Sequence, residues 1–202
     1  MTSARQAGYR PSAQRRREAL LRAAVEIAGE SGGGAVTHRA VAARAGVPPA
    51  TTSYFFGSIT DLLEEAIRHF TSERAAELNR LADELGERAG PREVAERFAA
   101  LLLSRDRTTE LAEIESYLHA ARRSELREAV TGMIEAYERV GVDALRAVGV
   151  PHPEGAAAAL RALVDGFVLS HLACPRPDDS ARLRDAMLAL FAGFGAAMRV
   201  PD

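Results

Sequence analysis

Arginine supplies every basic side chain in this sequence. All 26 basic residues of the 202-residue chain are Arg, and each guanidinium is a planar fork suited to carboxylate, phosphate or guanine. The net charge of −2 conceals an uneven distribution. Residues 1–60 contain eight Arg against three acidic residues, whereas the remainder contains 18 Arg against 25 acidic residues. A basic head on an acidic body predicts that the head binds a polyanion.

Nucleophilic and metal chemistry have weaker support. The stretch GESGG matches G-x-S-x-G with Ser31 as the nucleophile, but that motif requires a strand before the serine. Here a helical pattern precedes Ser31 and glycines follow it, so a hydrolase stays only as an alternative. No two of the five His form H-E-x-x-H. The single cysteine, Cys174, excludes an internal disulfide and a multi-cysteine metal site. We therefore expect no enzyme, no metal and no cofactor.

The expected location is the cytoplasm, with no membrane partner. No uninterrupted apolar run approaches the ~18 residues of a membrane span. The opening MTSARQAGYRPSAQRRR lacks the apolar core of a secretory signal. A single cysteine also fits a reducing compartment.

The elements that must position these residues are helices. Apolar residues recur at helical spacing, Gly and Pro divide the pattern, and strand-like alternation is missing. Residues 1–12 are predicted to be a disordered basic arm. The pattern predicts an all-α fold of about nine helices, at about 14–30, 37–46, 48–55, 61–85, 91–104, 107–121, 124–148, 154–173 and 179–199.

The second and third helices have the pattern of a helix-turn-helix. Ala42 is small where two helices would cross, and Gly46 follows at the corner, where a left-handed backbone favours glycine. Thr37 is the expected N-cap of the second helix. The remaining corner positions are Val41, Ala45, Val47 and Phe55, with Thr52 where an aliphatic residue is more usual.

The longer stretch VTHRAVAARAGVPPATTSYFFGSITDLLEEAI resembles the N-terminal domain of TetR/AcrR-family transcriptional regulators. The matching positions are Thr37-His38-Arg39, Ala42, Ala45-Gly46-Val47, Tyr54, Phe56 and Leu62-Leu63. The resemblance implies a helix-turn-helix DNA-binding domain over 13–72 and a ligand-binding and dimerisation domain over 73–202. It implies a regulator, most simply a repressor, that binds a palindromic operator as a dimer and is released by a small-molecule effector.

The recognition helix lacks charge, so we assign phosphate binding to its flanks. Affinity for DNA comes mainly from phosphate contacts, whereas Thr, Ser and Arg can read base edges. Ser53 and Ile59 stand where the family favours Tyr and Lys. His38 is either a DNA contact or a solvated residue, and Tyr54 is predicted to contact phosphate. The predicted DNA contacts are Arg15, Arg16, Arg17, Thr37, His38, Arg39, Pro49, Ala50, Thr51, Ser53 and Tyr54.

The last two helices are predicted to form half of a four-helix bundle that a second subunit completes. The last helix carries a stripe of large apolar residues and a second stripe of small ones (Ala186, Ala189, Gly193, Ala196). The predicted dimer interface is Leu160, Val164, Leu183, Met187, Leu190, Gly193 and Phe194. The predicted effector pocket is lined by Phe98, Glu113, Tyr117, Met133, Tyr137, Phe167 and His171.

One other class stays open, a helical adaptor that uses the same corner to bind a protein. The effector, the operator, the regulated genes and the choice between repression and activation are not encoded in any pattern we recognise. The predicted partners are double-stranded DNA, an unknown small-molecule effector and a second copy of the chain.

Overall fold

The computed structural model describes residues 11–84 and 90–197, and these residues contain no strand. The predicted arm lies outside the described residues up to position 10, and its last two residues, Pro11 and Ser12, begin the first helix instead. Proline is favoured in the first turn of a helix, which explains the earlier start. The end of the predicted last helix, at residues 198–199, also lies outside the described part.

Nine α-helices make up the described chain, which confirms the predicted all-α architecture. Two short 3₁₀ turns, Gly33–Ala35 and Ser124–Leu126, lie between them. The helices are α1 (Pro11–Ser31), α2 (His38–Arg44), α3 (Ala50–Phe55), α4 (Ile59–Glu84), α5 (Pro91–Leu103), α6 (Arg107–Arg122), α7 (Arg127–Ala147), α8 (Pro153–Ala173) and α9 (Asp179–Ala197).

Local capping sets the boundaries around the helix-turn-helix. The Thr37 hydroxyl accepts a hydrogen bond from the Ala40 N–H at 3.2 Å, so Thr37 is the N-cap of α2 as predicted. Gly46 has φ = +66°, the left-handed conformation expected at the corner. Ser58 caps α4, because its hydroxyl accepts from the Asp61 N–H at 3.0 Å.

The chain divides into two compact units. The first runs to Ser72 and includes Thr108–Val130, and the second contains Glu73–Arg107 and the chain from Thr131 onward. Thr108–Val130 contains nearly all of α6, so this helix belongs to the same unit as α1 to α3 and the first half of α4. The domain boundary predicted from the sequence, between residues 72 and 73, does not assign Thr108–Val130 to the first domain. That boundary stays a prediction.

Close approach of α6 to α1 depends on Gly29. A Cβ at Gly29 would lie 2.5 Å from the backbone oxygen of Thr108. The same unit is joined by an ion pair between Arg123 and Glu64 of α4, at 2.9 Å. Leu20, Val41 and Leu62 are fully buried in its core. The absence of a side chain at position 29 therefore lets two helices share one core.

The second unit has its core between α5, α7, α8 and α9. Helix α9 packs most extensively against α5. Leu183, Met187 and Phe191 lie on the buried face of α9, at most 5% exposed. Leu145 of α7 and Leu160 of α8 meet the same core.

Helix α8 is long and apolar enough, by length and composition alone, to cross a membrane. The sequence contains no uninterrupted apolar run here because Arg161 and Asp165 lie within the helix. These two side chains pair with each other at 2.7 Å. Core helices of soluble bundles have the same composition, and Leu160 of α8 is buried in this way.

The Gly29 contact predicts a reversal of helix propensity. Alanine normally stabilises a helix over glycine by up to about 1 kcal/mol, and Gly132→Ala in α7 should do so because nothing lies near its Cβ position. Gly29→Ala should instead destabilise the protein by about 1–3 kcal/mol, because the new methyl group meets a backbone oxygen. Urea denaturation followed by circular dichroism measures both changes. Equal stabilisation by the two substitutions would contradict the close approach of α1 and α6.

Candidate functional site

The corner between α2 and α3 is closed by small and apolar side chains. Val41 and Ala42 are fully buried, and the Val47 N–H donates to the Ala42 carbonyl at 3.0 Å. Thr52 is also fully buried, and its hydroxyl donates to the Pro49 carbonyl at 2.8 Å. Because this bond satisfies the hydroxyl, threonine can occupy a position where an aliphatic residue is usual.

Helix α3 presents an uncharged outer face. Pro49, Ala50, Ser53 and Tyr54 are exposed, and Thr51 is half-buried. Tyr54 is 72% exposed, whereas Phe56 directly after α3 is 3% exposed. Phe56 therefore anchors the end of α3, and the Tyr54 hydroxyl is accessible for a contact outside the chain.

The start of α2 lies on the surface. Thr37 and Arg39 are exposed, and His38 is half-buried. The His38 Nδ1 atom is buried and has no hydrogen-bond partner in the described chain. Arg39 is thus an exposed cation at the start of α2.

The three consecutive arginines of α1 have different surroundings. Arg15 and Arg16 are exposed, whereas Arg17 is 6% exposed and forms an ion pair with Glu65 of α4. Its guanidinium also lies over the Phe56 ring, 5.6 Å from the centroid. Arg17 was predicted to contact phosphate, but its guanidinium is buried within the chain and is not exposed for such a contact. Successive helical residues point about 100° apart, so a run of three cannot share one face.

Another cation of the basic head is used inside the chain. Arg44 contacts Glu30 at 2.6 Å and Glu26 at 3.2 Å, both on α1. The hydrogen bonds that Arg44 donates to the Glu30 and Glu26 carboxylates hold the pKa of its guanidinium above its ordinary value. The head therefore offers fewer outward cations than its composition indicates, with Arg15, Arg16 and Arg39 among them.

The predicted dimer interface needs correction. Leu160, Leu183 and Met187 are at most 3% exposed within a single chain, so they belong to its own core. Val164, Leu190 and Phe194 are half-buried against that core. The large apolar stripe of α9 faces inward because it packs on α5.

The outward faces of α8 and of the later turns of α9 are mostly small and apolar instead, whereas the first turns of α9 expose Ser180, Arg182 and Asp185. Of the predicted interface, Gly193 is exposed on α9, beside the exposed Ala189 and Ala192. Leu169 on α8 is 56% exposed. The exposed small residues of α8 are Gly155, Ala158, Ala162, Gly166, Ser170 and Ala173.

A cavity of about 260 Å³ lies wholly within the second unit. Two of the residues predicted for an effector pocket, Phe98 and Tyr137, line it. Its apolar wall is formed by Leu78, Phe98, Leu102, Val140, Leu160 and Val164. Its polar lining is formed by Arg74, Glu77, Arg80, Arg105, Tyr137, Arg161 and Asp165.

The other five predicted pocket residues do not line this cavity. Glu113 and Tyr117 belong to the first unit, where the Tyr117 hydroxyl donates to the Glu113 carboxylate at 3.3 Å. Met133 is fully buried, and Phe167 is half-buried against the core. A polar or aromatic side chain on an otherwise apolar helix face can line a cavity or pack in the core, and the sequence pattern does not distinguish the two.

His171 forms a structural contact at the α8–α9 turn. Its Nδ1 atom lies 2.6 Å from the Asp179 carboxylate. Asp179 also accepts a hydrogen bond from the Arg176 backbone N–H at 2.8 Å. The hydrogen bond with His171, followed by the backbone bond, holds the pKa of Asp179 below its usual range. His171 therefore joins two helices at their connection and does not reach the cavity.

None of the arginines that line the cavity is among the residues predicted from the sequence. Arg74 Nε and Arg105 Nη1 both donate to the Tyr137 hydroxyl, at 3.0 and 3.1 Å. Arg74 lies on the amphipathic α4, where an arginine ordinarily extends into solvent, and Arg105 lies in the connection between α5 and α6, so helical spacing marks neither residue. Among the described residues, no three His, Cys, Asp or Glu are grouped so as to hold a metal.

Two family models match the chain. Residues 20–66 match the model for bacterial regulatory proteins of the tetR family, and residues 89–193 match the tetracyclin repressor-like C-terminal domain. No curated protein matches the sequence significantly.

Solved structures resemble most of the chain. A TetR-family member from Streptomyces coelicolor A3, SCO1917, is 31% identical with a TM-score of 0.67, covering 87% of this chain and 97% of that one. The multidrug binding protein EbrR in complex with proflavin is 30% identical with a TM-score of 0.60, covering 87% and 99%. A transcriptional regulator from Rhodococcus sp. Rha1, at 24% identity and a TM-score of 0.70, covers 92% and 99% and supports the fold.

The first unit contains a helix-turn-helix with an exposed α3, and the second unit contains a cavity. Together with the two family matches, these features show that the chain belongs to the TetR family of bacterial transcriptional regulators.

Proposed function

We propose that this protein is a cytoplasmic repressor that binds a palindromic operator as a homodimer and is released when a small molecule enters the cavity of the second unit. The observation that carries the proposal is the outer face of α3, which exposes polar groups and no acidic residue, together with the exposed Arg39 of α2. The steps of DNA binding, dimerisation and release have separate support.

DNA binding is supported by the polar and basic side chains that the first unit exposes on its surface. Ser53 and Tyr54 are exposed on α3, and Arg39 is exposed on α2. A hydroxyl can hydrogen-bond to several base edges, and an Arg fork fits guanine. In this proposal the exposed Arg15 and Arg16 of α1 hold phosphate together with the first backbone N–H groups of α4. These N–H groups would take the place of the lysine that the family favours at Ile59.

Dimerisation is supported by the outward faces of α8 and α9. An exposed helix face of Gly and Ala allows another helix to approach closely, and Leu169 adds a large exposed apolar group. Gly166 and Gly193 have open space around their Cβ positions within one chain. Two such faces related by a twofold axis would form a four-helix interface and place two α3 helices on successive major grooves.

Ligand release is supported by the residues of α4. Its first turns carry Glu65, the partner of Arg17, and its later turns supply Arg74 and Leu78 to the cavity. EbrR, which resembles this chain, holds proflavin. A ligand that prefers one tilt of α4 would lower the population in which two α3 helices match the operator spacing.

Selection of duplexes from random DNA tests the proposed function. We expect a palindromic site and an affinity that falls as salt rises, because each phosphate contact releases counterions. Six to ten such contacts would weaken binding about 10³- to 10⁵-fold between 50 and 200 mM salt. A protein that selected no palindrome at low salt would not be an operator-binding repressor, and a helical adaptor would then be favoured.

Replacement of Arg39 separates base reading from phosphate binding. Arg39→Ala should relax the preference at one base pair in each half-site by about 1–3 kcal/mol. The matched variant Arg15→Ala should weaken all sequences alike and reduce the salt slope by about one contact per protomer. Titration of operator variants with single base-pair changes measures both. Uniform weakening by Arg39→Ala would show that Arg39 holds phosphate.

Enlarging the small residues of α8 and α9 should prevent dimerisation. Gly166→Arg and Gly193→Arg add long charged side chains where one chain leaves space, and Arg favours a helix over Gly, so folding should be retained. Gly132→Arg on α7 is the matched control, because its Cβ position is also open. Analytical ultracentrifugation should find monomers for the first two variants and dimers for the control. A dimer in all three would place the interface elsewhere.

A further inference from the structure

Tyr137 of α7 contacts two other parts of the second unit through its hydroxyl group. The hydroxyl oxygen accepts a hydrogen bond from Arg74 Nε of α4 at 3.0 Å and another from Arg105 Nη1 at 3.1 Å. Arg105 lies in the connection between α5 and α6, and all three residues belong to the second unit. One hydroxyl group therefore joins α7 both to α4 and to this connection.

The contact between Arg74 and Tyr137 is a link between two helices. The Arg74 side chain is 10% exposed, and its guanidinium lies over the Tyr137 ring, 5.4 Å from the centroid. Arg74 also pairs with Glu77 at 2.6 Å, but Glu77 lies on α4 itself. That ion pair does not attach α4 to another helix, whereas the hydrogen bond to Tyr137 attaches α4 to α7.

Apolar packing also attaches the second half of α4 to its unit. Leu78 is 3% exposed and belongs to the core of the second unit. Because this packing does not involve the Tyr137 hydroxyl, α4 should stay folded and attached when the hydroxyl is removed. Apolar attraction is non-directional, whereas a charge-assisted hydrogen bond requires a particular geometry. The bond to Tyr137 therefore restricts the position of α4 more closely than Leu78 does.

The side chains that form these hydrogen bonds also line the cavity. Arg74, Arg105 and Tyr137 all belong to its wall. A ligand bound against them would compete with the bonds that they make to one another. In the proposed function, a ligand in the cavity releases the operator. The arrangement in which Arg74 bonds to Tyr137 is then the one that binds the operator, and the ligand favours another.

We propose that Tyr137 is the positioning residue through which occupation of the cavity changes α4, and that its hydrogen bond with Arg74 favours the operator-binding arrangement. This inference rests on the proposed function, because it concerns the regulation of the same cavity. Tyr137 acts through Arg74 and α4, since the residues proposed to contact DNA belong to the first unit.

Removal of the hydroxyl group tests this role. Tyr137→Phe loses both hydrogen bonds and keeps the ring over which Arg74 lies. Without any added ligand, it should bind the selected operator about three- to thirty-fold more weakly, the range for residues that change coupling between sites without touching either ligand. The salt slope should not change, because no phosphate contact is lost. Fluorescence anisotropy titrations of a labelled operator measure both quantities.

Three results of these titrations would overturn the proposal. The first is an operator affinity within about two-fold of that of the unaltered protein. The second is tighter binding, which would mean that the hydrogen bond favours the released arrangement. The third is a reduced salt slope, which would mean that the substitution removes a phosphate contact.

Glu138→Gln is the matched control. Glu138 follows Tyr137 on α7 and contacts Arg161 of α8 at 3.3 Å, so this substitution weakens a contact of α7 that does not involve α4. Its operator affinity should stay within about two-fold of that of the unaltered protein. Circular dichroism verifies folding of both variants. An equal loss of affinity in both variants would show a general effect of disturbing α7 and would overturn the proposal.

A double-mutant cycle tests whether the effect passes through Arg74. Arg74→Gln removes the donor of the bond that joins α4 to α7. If Arg74 and Tyr137 act through this bond, Arg74→Gln combined with Tyr137→Phe should bind the operator about as weakly as the weaker single variant. A loss equal to the product of the two single losses would show that the residues act independently, and would overturn the route through α4.

Amide hydrogen exchange distinguishes this inference from the proposed function, because it requires no DNA. Tyr137→Phe should accelerate exchange about ten-fold at residues 74–80 of α4 and leave residues 59–68 unchanged. Unchanged exchange at residues 74–80 in a protein that binds its operator would overturn the role of Tyr137 and leave the repressor intact. Faster exchange in a protein that selects no operator would support the attachment of α4 by Tyr137 and overturn the repressor.

Discussion

The ion pair between the buried Arg17 and the partly buried Glu65 is the interaction on which the DNA-binding unit depends. It joins α1 to α4, and the Arg17 guanidinium lies over Phe56, which ends the α3 segment. Removing Glu65 would leave the buried Arg17 charge without its carboxylate and would destabilise the unit. The pair therefore fixes three elements at once, and α3 can present its outer face because Phe56 is held beneath it.

Helix α4 contains both the partner of Arg17 and residues that line the cavity of the second unit. The residues that contact Arg17 and those that line the cavity lie on one continuous helix, Ile59–Glu84. Within the first unit, Glu64 of α4 also contacts Arg123, which directly follows α6. Helix α4 thus contributes residues to both units. Coupling through this helix requires the ligand to prefer one arrangement of the helix over another.

Arginine has three distinct roles because its surroundings differ, although the residue type is constant. Arg17 and Arg44 stabilise the first unit through carboxylates, Arg39 is exposed beside α3, and Arg105 meets Tyr137 in the cavity. Charge content alone predicted a basic head, and that reading counted Arg17 and Arg44 among the cations available to DNA. The number of basic residues is therefore a poor measure of the charge that DNA encounters.

The sequence by itself determined the elements and the family. Thr37, Gly46 and the helical periodicity predicted the helix-turn-helix and nine helices, because caps, corners and repeats are local properties of the chain. Only the tertiary structure decided which face of each helix is buried. Leu183 and Met187 turned inward onto α5, the small face of α9 was left outside, and two arginines converged on Tyr137. Periodicity shows that a helix has an apolar side, but the packing partner determines whether that side meets the same chain, a ligand or a second subunit.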